Sequence, residues 1–189
     1  MNKNLKYLSE SAIIAAVYIV LTLIFQPISF GQLQFRIAEA LTILPALTPA
    51  GIPGIFIGCL LANLLGGGHW IDIVFGSLAS LLAAWLTRVL AKRLRLDENS
   101  TEKYTRKELF RTPKLYLFPL PTIIINSLVV GFYIPIIYPA GDATLAVFLF
   151  SMLTVGLGQV IITYLLGLPL YIATREFFVN RGIINYEKR

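Results

Sequence analysis

Apolar residues run almost unbroken through six stretches of the chain, at about 7–25, 35–48, 55–65, 71–90, 115–138 and 143–174, and each is bounded by turn-forming or charged residues. A membrane-spanning helix needs about 20 mostly apolar residues, so the pattern predicts six crossings within a single membrane domain covering 1–189. The punctuation is specific. PISFGQLQ at Pro27–Gln34, the glycine run Gly66–Gly68 leading to Trp70, and Pro139–Asp142 read as loops on one side. TPAGIPG between the second and third stretches reads as a tight turn on the other side, and the polar segment 91–114 as a loop there. Asp142 is expected to cap the N-terminus of the last helix. The fifth stretch carries Pro119, Pro121 and Pro135, whose freed backbone groups must be satisfied by neighbouring helices or a lined cavity.

Composition strengthens this reading. Hydrophobic residues make up 57% of the chain and charged residues 14%, against roughly 25% charged in soluble domains. A formal net charge of +6 is compatible with nucleic-acid binding, but placement decides against it. Apart from Arg36, every lysine and arginine lies at the N-terminus, between Arg88 and Lys114, or from Arg175 onward. Under the positive-inside rule those segments, and hence both termini, face the cytoplasm. The lone Cys59 cannot form an internal disulfide and reads as packing. The first apolar stretch is too long for a signal peptide and is expected to be a retained helix.

Against this apolar background the polar exceptions stand out. GQLQFRIAEAL (31–41) places Arg36 and Glu39 three residues apart, on one face of an expected α-helix. Ionisable groups at membrane depth are costly and mark sites facing the bundle interior or a watery cavity. Asn63, His69, Trp70 and Asp72 follow around GGGHWID, with Asn126 in the fifth stretch and Gln159 in the sixth. These residues suit one small-molecule pocket near the outer face. Local roles also account for some of them: Asp72 as a partner of the helix dipole, Trp70 as an interfacial belt residue, and His69 as a solvated side chain. Two carboxylates against one guanidinium favour a neutral or cationic ligand, and the carboxamides suit the edge of a heterocyclic base. Phe30, Phe35, Trp70 and Tyr133 could supply stacking faces.

No catalytic pattern is present: there is one histidine, no HExxH, no nucleophile elbow and no P-loop. Paired interrupted helices and an internal repeat, usual in self-sufficient secondary transporters, are also missing. Transport by this chain would therefore draw energy from elsewhere.

GQLQFRIAEALTILP, TPAGIPGIFIGCLLANLLGGGHWIDIVFGSLA and the AIIAA of the first stretch resemble the queuosine-precursor transporter family (QueT), substrate-binding S components of energy-coupling factor (ECF) importers. The resemblance covers nearly all of the membrane region. It implies an all-α, six-helix S-component bundle in the cell membrane that captures a pre-queuosine deazaguanine base from outside. Delivery inward would need a transmembrane coupling subunit and two cytoplasmic ATPases. The chain would bind no cofactor of its own, ATP being used by those partners, and would not be an enzyme. Ala12 and Ala16 would dock the coupling subunit. Within this frame Glu39 is expected on the guanine-like edge, Asp72 on the ammonium of the aminomethyl arm, and Asn63, Asn126 and Gln159 on the remaining edge, with Arg36 orienting Glu39. The alternatives are an S component for another vitamin-like heterocycle, a small intramembrane enzyme using Glu39, His69 and Asp72, and a structural scaffold.

Overall fold

A computed structural model describes residues 3–30, 34–96, 106–139, 142 and 144–180. Residues 1–2, the expected loop residues 31–33, 97–105 and 140–141, residue 143 at the start of the expected sixth stretch, and the tail from 181 onward lie outside the described residues. Everything described is helix or connection, with no strand among the described residues. Helix α1 is Lys3–Ile24, followed by the single turn α2, Gln26–Ser29. A 3₁₀ segment, Ile37–Ala46, leads into α3, Gly51–Leu65. A π-helical turn, Asp72–Gly76, opens α4, Ser77–Leu94, and α5 is the short Arg106–Arg111. A 3₁₀ turn at Pro113–Leu117 precedes α6, Leu120–Ile137. The last long element is α7, Leu145–Ile162, continued through a π turn at Thr163–Gly167 into α8, Leu168–Asn180.

Four of these helical runs are long and apolar enough to cross a membrane: Asn4–Ile24, Asp72–Leu94, Pro113–Ile137 and Leu145–Glu176. Ile37–Ala46 and Gly51–Leu65 are apolar but shorter. Helices of spanning length thus occupy four of the expected stretches, and shorter apolar helices fall in the other two.

The second stretch differs in kind from the expected α-helix over 35–48. Its ten residues form a 3₁₀ helix, and Arg36 stands outside it in extended conformation. Such runs are uncommon beyond three or four residues. Here the neighbours hold it in place, because Ala38 to Ala46 are all buried and the segment packs against α1, α3, α4, α7, α8 and the second π turn. Pro45, which lacks an N–H, already weakens an α-helical bond pattern there. A rise of about 2.0 Å per residue stretches these ten residues over roughly 20 Å, against about 15 Å for an α-helix. At three residues per turn, Glu39 and Thr42 align on one side.

Other boundaries shift for identifiable reasons. Helix α3 begins at Gly51 rather than 55, because Pro53 falls in the first turn, where a missing N–H leaves no bond unmade. Asp142 is not the cap of α7: Thr144 occupies that position, extended, and its N–H donates to the Asp142 carbonyl at 2.8 Å.

Two arginines at the end of α4 and in α8 are buried rather than solvated. Arg88 Nη1 donates to the carbonyls of Pro45 and Ala46, both at 3.3 Å, where the 3₁₀ segment ends. Arg175 Nη1 reaches the Leu96 carbonyl and the Tyr171 hydroxyl, and Tyr171 itself donates to Leu96 O at 2.5 Å. A cation placed at the last carbonyls of a helical segment complements both its unpaired acceptors and its dipole.

Candidate substrate-binding site

Two buried carboxylates anchor the polar interior. Asp72 sits in the π turn that opens α4, a geometry that recurs at functional sites. Its Oδ2 accepts from Arg36 Nη2 at 3.1 Å and Gln34 Nε2 at 3.2 Å, and its Oδ1 accepts from the Tyr133 hydroxyl at 2.5 Å. Gln34 closes the triangle by accepting from Arg36 Nη2 at 3.2 Å. Gln34 does so with φ of 39°, in the left-handed region that non-glycine residues seldom occupy. The Arg36 guanidinium also lies 5.4 Å above the Phe30 ring. Gly76 makes this closeness possible, since a Cβ there would stand 2.8 Å from Asp72 Oδ1 and 2.9 Å from the Tyr133 hydroxyl.

Glu39 projects from the 3₁₀ segment and is 1% exposed. Tyr18 of α1 donates to Oε1 at 2.6 Å, and Asn126 of α6 donates to Oε2 at 3.2 Å. Below it Thr122 donates to Thr42 at 2.9 Å, and Thr42 to the Glu39 carbonyl at 2.6 Å. The period of three along the 3₁₀ segment therefore meets the i, i+4 pair Thr122 and Asn126 of α6. Among the described residues no cation forms a hydrogen bond or ion pair with Glu39. Arg36, expected to orient it, pairs with Asp72 instead, because leaving the helix at an extended residue sends its side chain elsewhere.

Asn63 donates to the Asp72 carbonyl at 3.0 Å, and its Nδ2 lies 3.6 Å from Cys59 Sγ. Arg36 Nη1 and Ser80 Oγ approach the same sulfur at 3.7 and 3.5 Å, so Cys59 packs within a polar cluster as well as against Ile55 and Ala62. Gln159 is buried on α7 and shares no hydrogen bond with either acid. The side-chain oxygens of Asn63, Asn126 and Gln159, and Nε of Arg36, are buried without a partner. Native interiors rarely leave such atoms unpaired.

Of the residues proposed from the sequence, Arg36, Glu39, Asn63, Asp72, Asn126 and Tyr133 thus converge. His69 and Trp70 do not. Trp70 is 61% exposed, its ring 5.8 Å from that of His69, and the His69 Nδ1 accepts from the Ile71 N–H at 3.3 Å. The trio of Glu39, His69 and Asp72 is therefore not assembled as an acid, a base and a support. Tyr18 and Gln34 were not anticipated. An open cavity of about 670 Å³ lies between the first loop and α7, lined by Phe30, Gln34 and Phe35 opposite Thr154, Leu157 and Gly158.

These features can be set beside known proteins. A family model described as "QueT transporter" matches residues 8–176. Over 88 residues the chain is 34% identical to the queuosine precursor transporter QueT of Lactococcus lactis subsp. cremoris (strain MG1363), a match covering 46% of this chain and 52% of that protein. It thus spans about half the length of that relative. No solved structure matches. Matched along most of its length and built from long apolar helices, the chain is a membrane protein and belongs to the QueT transporter family.

Proposed function

We propose that this chain is the substrate-binding subunit of an importer for a queuosine precursor, a deazaguanine base carrying an aminomethyl arm. The observation that carries the reading is Glu39, a carboxylate buried among apolar helices whose partners are the neutral donors Tyr18 and Asn126. A buried carboxylate without an ion pair of its own is costly in such surroundings, and a cationic ligand group offsets that cost. The relative's name supplies the cargo class. Asp72 has its requirement met by Arg36, Gln34 and Tyr133, so Glu39 takes the ammonium arm and Asp72 holds the first loop against α4. This exchanges the two roles expected from residue types. The unpaired amide oxygens of Asn63, Asn126 and Gln159 suit the N–H donors of the base. Phe30 and Phe35, lining the cavity beside the first loop, offer aromatic faces along the approach.

In this reading the chain forms a single domain that crosses the plasma membrane six times, the 3₁₀ segment and α3 making the two short crossings, with both termini cytoplasmic. It binds no cofactor and works with an ECF coupling subunit and two ATPases that use ATP. Ala12 and Ala16 lie exposed on α1 while Ala15 is buried, which leaves the small-residue face open to a coupling subunit.

Equilibrium binding of the purified chain in detergent tests the cargo. The aminomethyl deazaguanine should bind stoichiometrically, without turnover, and guanine and riboflavin far more weakly. Equal binding of riboflavin would move the assignment to another heterocycle, and a converted product would move it to an enzyme.

A further inference from the structure

A second groove lies away from the carboxylates, where the end of α4 meets the start of α6, with a volume of about 320 Å³. Helix α4 contributes Val89, Leu90 and Arg93, and α6 contributes Pro121, Ile124 and Ile125. The lining is apolar except for one guanidinium at one end. Arg93 is exposed and makes no hydrogen bond or ion pair among the described residues. Lys92 and Arg95 are exposed beside it. Among the described residues no acidic side chain lines the groove.

An apolar trough with a cationic rim complements an amphiphile with an anionic head. The basic end marks the cytoplasmic side under the positive-inside rule, and basic pockets between membrane helices on that side bind anionic headgroups. We infer that this groove is a binding site for an anionic phospholipid of the inner leaflet. An acyl chain lies along Val89, Leu90, Ile124 and Ile125, and the phosphate pairs with Arg93. A guanidinium suits this role because its fork of donors matches two phosphate oxygens at once. The positive end of the α6 dipole, at the groove's other wall, adds to the attraction for a phosphate. The site shares no residue with the Glu39 and Asp72 clusters, so its occupancy stands or falls independently of the cargo.

The test is lipid retention by the detergent-purified full chain, read by native mass spectrometry after exposure to phosphatidylglycerol or phosphatidylcholine with identical acyl chains. Phosphatidylglycerol should be retained at one molecule per chain, with phosphatidylcholine washed out. Arg93→Ala should lower phosphatidylglycerol affinity about tenfold. Ile124→Trp, which fills the trough and leaves the cation in place, should lower it as well. Glycerol phosphate, lacking acyl chains, should neither bind nor compete. Equal retention of the two lipids, undiminished binding in Arg93→Ala, or competition by glycerol phosphate would overturn the assignment. Binding of the deazaguanine by the same variants should be unchanged, and this confirms that they fold.

Discussion

Asp72 and Glu39 are both about 1% exposed, yet their surroundings differ in one respect: Asp72 has a guanidinium at 3.1 Å and Glu39 has hydroxyl and amide donors alone. A buried carboxylate paired with arginine and two further donors is a closed electrostatic unit. It fixes geometry, here that of the first loop against the π turn of α4. A buried carboxylate held by neutral donors is oriented but not neutralised. The difference separates a group that shapes the site from one whose charge is free to recognise a ligand.

The comparison is most severely tested at Asp72. In Asp72→Asn the Arg36 guanidinium stays buried without its counter-charge, and breaking such a pair costs about 3–5 kcal/mol. Thermal unfolding in detergent should show a large drop in Tm. Adding Arg36→Met should recover most of it, because removing both charges leaves neither stranded. If the single variant is as stable as the double, the pair is not a closed unit and the contrast with Glu39 loses its basis.

Glu39→Gln should behave in the opposite way. It removes a buried charge that has no ion pair of its own while keeping the shape, so the stability of the empty protein should hold or rise. Affinity for the aminomethyl base should fall by about 2–5 kcal/mol, roughly thirtyfold or more. The neutral nitrile relative should be much less affected, so the preference between the two ligands collapses. Were Asp72→Asn to abolish that preference and Glu39→Gln to keep it, the ammonium would belong on Asp72.

How much of this could be read from the letters depends on whether a residue's partner lies nearby in sequence or across the bundle. The all-helical architecture with its long apolar helices was legible because long apolar runs have few alternatives in a membrane. The buried polar residues were legible for the same reason: Glu39 and Asn126 stand out within predominantly apolar stretches. The second stretch was misread in kind, although Arg36, Glu39, Thr42 and Pro45 recur every third residue, the period of a 3₁₀ helix. Over so few residues that spacing is equally the i, i+3 relation of an α-helix. Tyr18 was missed since a tyrosine in an apolar run carries no mark of its own. A signal existed in Ser11, Ala15, Tyr18 and Thr22, which follow helical spacing along one buried face of α1. For Gln34, no pattern in the sequence announces its bridge between Arg36 and Asp72.

The smallest effects should come at His69 and Trp70, which the sequence places beside the acids and the fold turns outward. The exposed indole contacts the His69 ring, and the imidazole's hydrogen bond in the structure is to the Ile71 amide. Neither side chain bonds Glu39 or Asp72, so the electrostatic contrast should persist when they are removed. Surface substitutions of this kind usually change stability by no more than about 0.5 kcal/mol. Carried over to affinity, that is roughly a twofold change. Trp70→Ala and His69→Ala should therefore leave ligand titrations nearly superimposable on those of the unaltered chain. A tenfold loss in either would mean that the segment folds inward over the bound base, and the aromatic face would then belong to the recognition site alongside Glu39.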